Sequence, residues 1–146
     1  MWEDIKYFSP DGKDNFGDPS KMDTILIRTM DEMRAFVGRP FLVHCGYEDR
    51  TTGGWHPHGK AVDGHFVGLH PIEMYEIAQR FDAFNGIGVY LWWHWHDDLV
   101  GGIHVDTRPI SNRFGNDARW GSLIKGEYKP VDIEFLRVAV YYDIPG

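Results

Sequence analysis

The 146-residue chain contains a single cysteine, Cys45, so no internal disulfide can close and zinc held by thiolates is excluded; a metal site would have to be built from His, Asp and Glu. No apolar run approaches the roughly 20 residues that span a bilayer. Basic clusters are also missing. With 15 Lys and Arg against 22 Asp and Glu the formal charge is -7, which argues against nucleic acid as a partner, because phosphate neutralisation needs grouped cations. There is no repeat or low-complexity tract, and the Gly and Pro residues are scattered as turn markers, so no linker divides residues 1–146 and one domain is expected. The opening MWEDIKYF has neither a basic n-region nor an apolar h-region. Synthesis in the cytoplasm is therefore expected, and work at a cell wall would need another export route, as in a phage or prophage setting.

What is present describes a folded chain. A hydrophobic fraction of 42% with 15% aromatics is too high for disorder, and this length buries roughly two-thirds of the unfolded surface. Met22, Ile25, Leu26, Met30, Met33 and Phe36 recur at helical spacing, with Pro19 or Ser20 near the start and Gly38 past the end. Residues 41–44 read as a short strand and Ala61–Phe66 as a second, joined by a polar loop over 46–54. Pro71 suits a first helical position, and the apolar face that follows predicts a helix over 71–84, stopped by Asn85 and Gly86. Residues 87–91 and Gly102–Asp106 read as strands. Residues 133–142 fit a helix or a strand equally. Interleaved helices with short, close strands predict an α+β fold whose small sheet is mainly antiparallel, with flanking helices.

The chemistry concentrates in GGWHPHGKAVDGHF, which packs His56, His58, His65 and Asp63 between glycines. Gly59 and Ala61 are small, so the backbone can fold closely and return a loop histidine to a strand aspartate. Downstream, GGIHVDTR places His104 and Asp106 two apart, on one face of a strand. Zinc catalysis needs about three protein ligands and an open position, and nitrogen and oxygen donors suffice. Of His104 and Asp106 only one needs to touch the metal; the other can orient a ligand or move protons.

These residues carry a resemblance. His56, Gly59, Ala61 and Asp63 reproduce HxxGxAxD, and His104 with Asp106 the downstream HxD, which together resemble the M15 group of zinc D,D-peptidases and peptidoglycan endopeptidases. FLVHCGY sits where that group has a strand ending in an SGYR-like turn, and GIGVY before HVDTR, with Trp120 downstream, is similar to its short branch; the likeness covers residues 8–120. It implies zinc held by His56, Asp63 and His104, peptidoglycan peptides as substrate, and the fold shared by D,D-peptidases and the hedgehog signalling domain. The spacing that selects His56 does not select His58 or His65, which are expected to be solvated or hydrogen-bonded.

The departures matter equally. Many relatives carry a catalytic Glu or Asp three residues before the second histidine, where this chain has Gly101. The base role then passes to Asp106 or to His96, Asp97 or Asp98, with a structural role for Asp106 at the strand end kept open. The arginine of the SGYR-like turn is Glu48, which implies either that Arg50 or Arg108 compensates in substrate binding or that the substrate is shifted. Cys45, in place of a serine, is expected to be a small buried residue and not a nucleophile. In LWWHWHDD, alternation would put Trp92, His94 and His96 on one face and Leu91, Trp93 and Trp95 on the other. The expected function is a zinc metallopeptidase hydrolysing an amide in peptidoglycan stem or cross-link peptides, with Asp106 and His96 as proton-transfer candidates. The alternative is a zinc-stabilised binding or structural module without hydrolysis. A metal-free glycan binder built on the tryptophans would leave the His56 to Asp63 spacing unexplained.

Overall fold

The computed structural model describes residues 1–50, 53–110 and 118–144. Its first long element, α1 (Thr24–Val37), starts where Asp23 accepts a bond from Leu26 N at 3.2 Å and stops at Gly38, whose φ of 72° suits a residue without a Cβ. Met22, expected inside the helix, is buried just ahead of it, because a 3-10 turn over Pro19–Lys21 delivers the chain to the better cap at Asp23.

The remaining elements are β1 (Phe41–Cys45), β2 (Ala61–Phe66), α2 (Pro71–Ala78), β3 (Gly86–Tyr90), β4 (His94–Trp95), β5 (Asp98–Leu99), β6 (Gly102–Asp106), β7 (Ala118–Ser122) and α3 (Ile133–Ala139). Helix α2 ends earlier than its apolar periodicity suggests. Beyond Ala78 the chain continues in turns bonded three residues apart, Phe81 N to Ala78 O and Phe84 N to Phe81 O, which keep Phe84 in the core without an α-helix. Periodicity alone cannot separate these two geometries. At α3 the helical alternative holds, capped by Asp132, with Phe135 and Ala139 buried one turn apart.

Five strands form one sheet in the order β1-β2-β6-β3-β7. The first three pairings are antiparallel and β7 lies parallel to β3, so the α+β fold has a mixed sheet. β7 has no strand signal in the sequence, because ARWGS has no apolar alternation to mark it. One sheet face, carrying Val62, Ile87, Val89, Ile103 and Val105, belongs to the same buried cluster as Leu26, Met30 and Met33 of α1 and Met74 of α2. The opposite face carries the chemistry. Among the described residues no helix is long and apolar enough to cross a membrane.

Candidate metal centre and cleft

The strand register lines up one transverse row. Cys45 pairs with Asp63, Asp63 with His104, His104 with Gly88, and Gly88 with Trp120. Side chains in one row of a sheet share a face, so four polar or aromatic groups from separate strands meet over Gly88. A side chain at Gly88 would strike the Trp120 indole, which therefore leans toward His104, with ring centroids 5.1 Å apart. The neighbouring row runs Ala61, Asp106, Gly86 and Ala118. There the Asp106 carboxylate fills the space a Cβ on Gly86 would need. Small residues around it are thus a condition for burying Asp106, and the GIG of β3 makes room for both groups.

His56 reaches this face from a 3-10 turn, His56–His58, which precedes β2 and closes on Gly59 with φ 67°. Its Nδ1 lies 2.7 Å from Gly46 O. A carbonyl only accepts, so Nδ1 carries the hydrogen, and in a neutral ring Nε2 is left with a lone pair. Asp63 Oδ2 lies 3.3 Å from this nitrogen. The two atoms are close enough to share a proton or a cation. Asp63 also meets His104 Nδ1 through Oδ1 at 2.9 Å, and His104 Nε2 meets Asp106 Oδ2 at 2.7 Å.

Burial opposes charge on all three of these groups, and the contacts override it. Bonds from His104 and His56 hold the Asp63 carboxyl well below the usual carboxylate range, and bonds from His104 and Arg108 do the same for Asp106. His104, between the two carboxylates, is raised to about 9. Without metal its ring is therefore a buried imidazolium donating from both nitrogens.

Cys45, His56 and Asp63 lie close enough to hold a metal ion, each offering an atom within 4.8 Å of the others. This corrects the exclusion of cysteine: a lone thiol cannot build an all-sulfur site, but it can join a mixed one. Its position is nevertheless unlike that of His104. Sγ lies 3.6 Å from His56 Nδ1, the nitrogen already committed to Gly46, and 2.5 Å from Glu48 Oε1. Burial, followed by the Glu48 contact, pushes the thiol pKa up, which leaves it protonated and unsuited to nucleophilic attack. His56 Nε2 and His104 Nδ1 both approach Asp63, but among the described residues the set close enough to share an ion has Cys45 as its third member and not His104, which is bonded to Asp63 and Asp106.

A cleft of about 340 Å³ opens over His56, Asp63 and His104. Arg50 and Arg108 line it, together with Tyr90 and Trp120. Arg108 is fixed by Asp106, with Nε at 2.9 Å and Nη2 at 2.7 Å, and its guanidinium lies over Trp120. Arg50 pairs with Glu48 at 3.1 Å. Tyr90, missed in the sequence, accepts from Trp120 Nε1 at 2.7 Å and stacks on Trp93. Its own hydroxyl proton has no acceptor among the described residues. Burial raises this phenol to about 12, so the hydroxyl stays protonated.

Asp106 itself is not open to the cleft. It is fully buried and gripped by His104 Nε2 and by the backbone and side chain of Arg108. His96 is not brought to the cleft either. The run expected to alternate along one strand turns back on itself: β4 and β5 form a hairpin, His96 occupies its turn with φ 55°, and His96, Asp97 and Asp98 are all exposed. Trp95 stacks on His44, which in turn meets His65 at 2.6 Å. His58 is exposed beside Trp55. No family model, curated protein or solved structure matches the chain.

Proposed function

We propose that this chain is a zinc-dependent hydrolase of an amide bond in peptidoglycan stem or cross-link peptides. The support is the approach of His56 to Asp63, with Cys45 close enough for the three to hold an ion, at the floor of a cleft with aromatic walls and two guanidiniums. The HxxGxAxD and HxD resemblance supports the substrate class. His56, Asp63 and His104 would hold the ion, which when bound supplies Lewis-acid polarisation of the scissile carbonyl and acidifies a water. Asp106 keeps Nε2 of His104 protonated and so turns Nδ1 toward Asp63, an orienting role better suited to a sealed carboxylate than proton transfer with substrate. Tyr90 lines the cleft and accepts from Trp120, which leaves its hydroxyl proton to donate to a carbonyl oxygen as negative charge develops. Arg50 and Arg108 offer donors to the substrate's carbonyls.

A second reading, a zinc-holding binding module without hydrolysis, is favoured by one observation. Among the described residues Asp63 is the only carboxylate lining the cleft, and it faces both imidazoles instead of standing free as a base. Elemental analysis should find close to one zinc per chain. Incubation of the loaded protein with purified peptidoglycan, followed by mass analysis, should then find released peptides with new amine and carboxylate ends. Zinc without release supports the module; a chain that takes up no zinc and keeps its Tm in chelator removes both readings.

A further inference from the structure

Trp95 holds the hairpin of β4 and β5 against the sheet. Its indole stacks on His44 with ring centroids 4.9 Å apart, and His44 Nε2 meets His65 Nδ1 at 2.6 Å. The proposed hydrolysis uses neither imidazole. Between the hairpin and the strands β1 and β2 lies a depression of about 420 Å³, whose lining includes Leu42, His65, Leu69, Trp95, Asp98 and Leu99. It shares no lining residue with the cleft over His56, Asp63 and His104.

Two polar side chains belong to this lining, one from the sheet and one from the hairpin. His65 is only 4% exposed, and its Nδ1 is taken by His44. Its Nε2 has no partner among the described residues, yet among them no buried side-chain nitrogen or oxygen lacks one. Nε2 therefore keeps contact with solvent, and the depression that His65 lines is where it does so. When His65 donates in the bond to His44, Nε2 is left with a lone pair. Asp98 is exposed and stands directly opposite Trp95 in the hairpin, so its carboxylate shares a face with the indole. The other described side chains of the lining are aliphatic or aromatic. A sugar ring would bring hydroxyls all round its edge into such walls; an apolar body with one polar head suits them. The charge of that head follows from Asp98. Arg39 approaches Gly68 without itself joining the lining.

We infer that this depression binds an organic monocation, a primary ammonium on an aliphatic chain, with the chain against Leu42, Leu69 and Leu99 and the ammonium meeting His65 Nε2, the Asp98 carboxylate and the Trp95 indole. An ammonium brings three donors and a charge that an indole face attracts, so each of these groups has a partner in it.

The full chain, with and without zinc, is titrated with n-hexylammonium, 1-hexanol and hexanoate while the Trp95 indole and the Leu69 and Leu99 amides are followed by NMR. Hexylammonium should shift these signals and bind at least about fivefold more tightly than 1-hexanol, the size expected of an exposed ion pair together with a cation over an indole. Asp98→Asn, at an exposed position, should cut that preference by about threefold and leave the affinity for 1-hexanol unchanged. Zinc loading should change neither value, so failure here would leave the hydrolase reading intact. Equal affinities for amine and alcohol, or shifts confined to His56 and Trp120, would overturn the inference. So would tighter binding of hexanoate, which would hand the depression to Arg39, or a preference that Asp98→Asn does not diminish.

Discussion

His104 and His96 both stand beside aspartates in the sequence, yet their surroundings in the fold are opposite. His104 projects from β6 in the middle of the sheet, is buried, and has a carboxylate on each ring nitrogen. His96 sits at the turn of a two-stranded hairpin with positive φ, exposed, its ring against Trp95. The first is a fixed group whose protonation is set by neighbours from β2 and from its own strand. The second is exposed, and among the described residues no hydrogen bond or ion pair orders it for chemistry. Convergence of separate strands makes the difference, and sequence proximity to Asp does not.

The strongest way to break this comparison is to remove one imidazole from each region. His56→Ala takes a donor from the Asp63 cluster and should abolish zinc uptake, whereas His96→Ala should leave zinc content at its parent level. Elemental analysis of both proteins after the same loading decides it, and equal loss in the two would show that the hairpin belongs to the metal centre after all.

A smaller change sharpens the division of labour inside the buried row. Asp106→Asn keeps the shape of the group but replaces the Oδ2 acceptor facing His104 Nε2 by an amide that can turn either way. For an orienting carboxylate, zinc affinity should fall by roughly 10- to 100-fold, and saturating zinc should restore most of the hydrolysis. A rate loss of about 10² to 10⁴ at full zinc occupancy would instead return Asp106 to the role of general base. Because Arg108 also rests on this carboxylate, KM should be read beside kcat.

Much of this architecture was legible locally. β2 and β6 have their expected bounds, since alternation within each strand is a local property, and α3 resolves through the Asp132 cap. What could not be read depends on pairing between distant segments. The row from Cys45 to Trp120 exists only once β1, β2, β6, β3 and β7 are in register, and the bulge near Cys45 shifts that register by an amount no local pattern encodes. This is why a lone cysteine, dismissed on count, reappears beside His56. The glycines of GIGVY carried a readable signal, two side-chain-free positions on one face of a strand, but their use was visible only after Asp106 and Trp120 were seen to occupy the space. The hairpin at 94–99 is hidden for a different reason: aromatic and polar residues alternate in it, and alternation does not reveal where a chain reverses.

The least drastic test leaves the sequence intact and changes only pH. In the metal-free chain His104 is raised to about 9 from an ordinary 6.5, burial opposing and the bonds to Asp106 and Asp63 prevailing. The folded state therefore binds this proton more tightly than the unfolded state. Its contribution is complete below about pH 6.5 and is lost as pH rises through about 9. The other shifted groups act elsewhere. Asp63 and Asp106, held low, contribute above the usual carboxylate range and lose that contribution only in acid. His65, pushed down to about 4 by burial and then by His44, likewise matters only below 6.5, and Cys45, pushed up, begins to subtract only near the ordinary thiol value of 9.0. Between pH 6.5 and 8.5 His104 is thus the group whose titration should lower stability, by an amount on the order of 5 °C in Tm for a chain of this size. In the proposed site zinc would take the place of the proton on Nδ1, so the loaded protein should show little of this decline, and its advantage over the metal-free protein should widen with pH. Parallel melting curves at pH 6.5, 7.5 and 8.5, with and without zinc, measure both. A metal-free Tm that stays flat across this window would mean that His104 does not hold its proton between Asp63 and Asp106, and the buried row would lose its distinction from the hairpin.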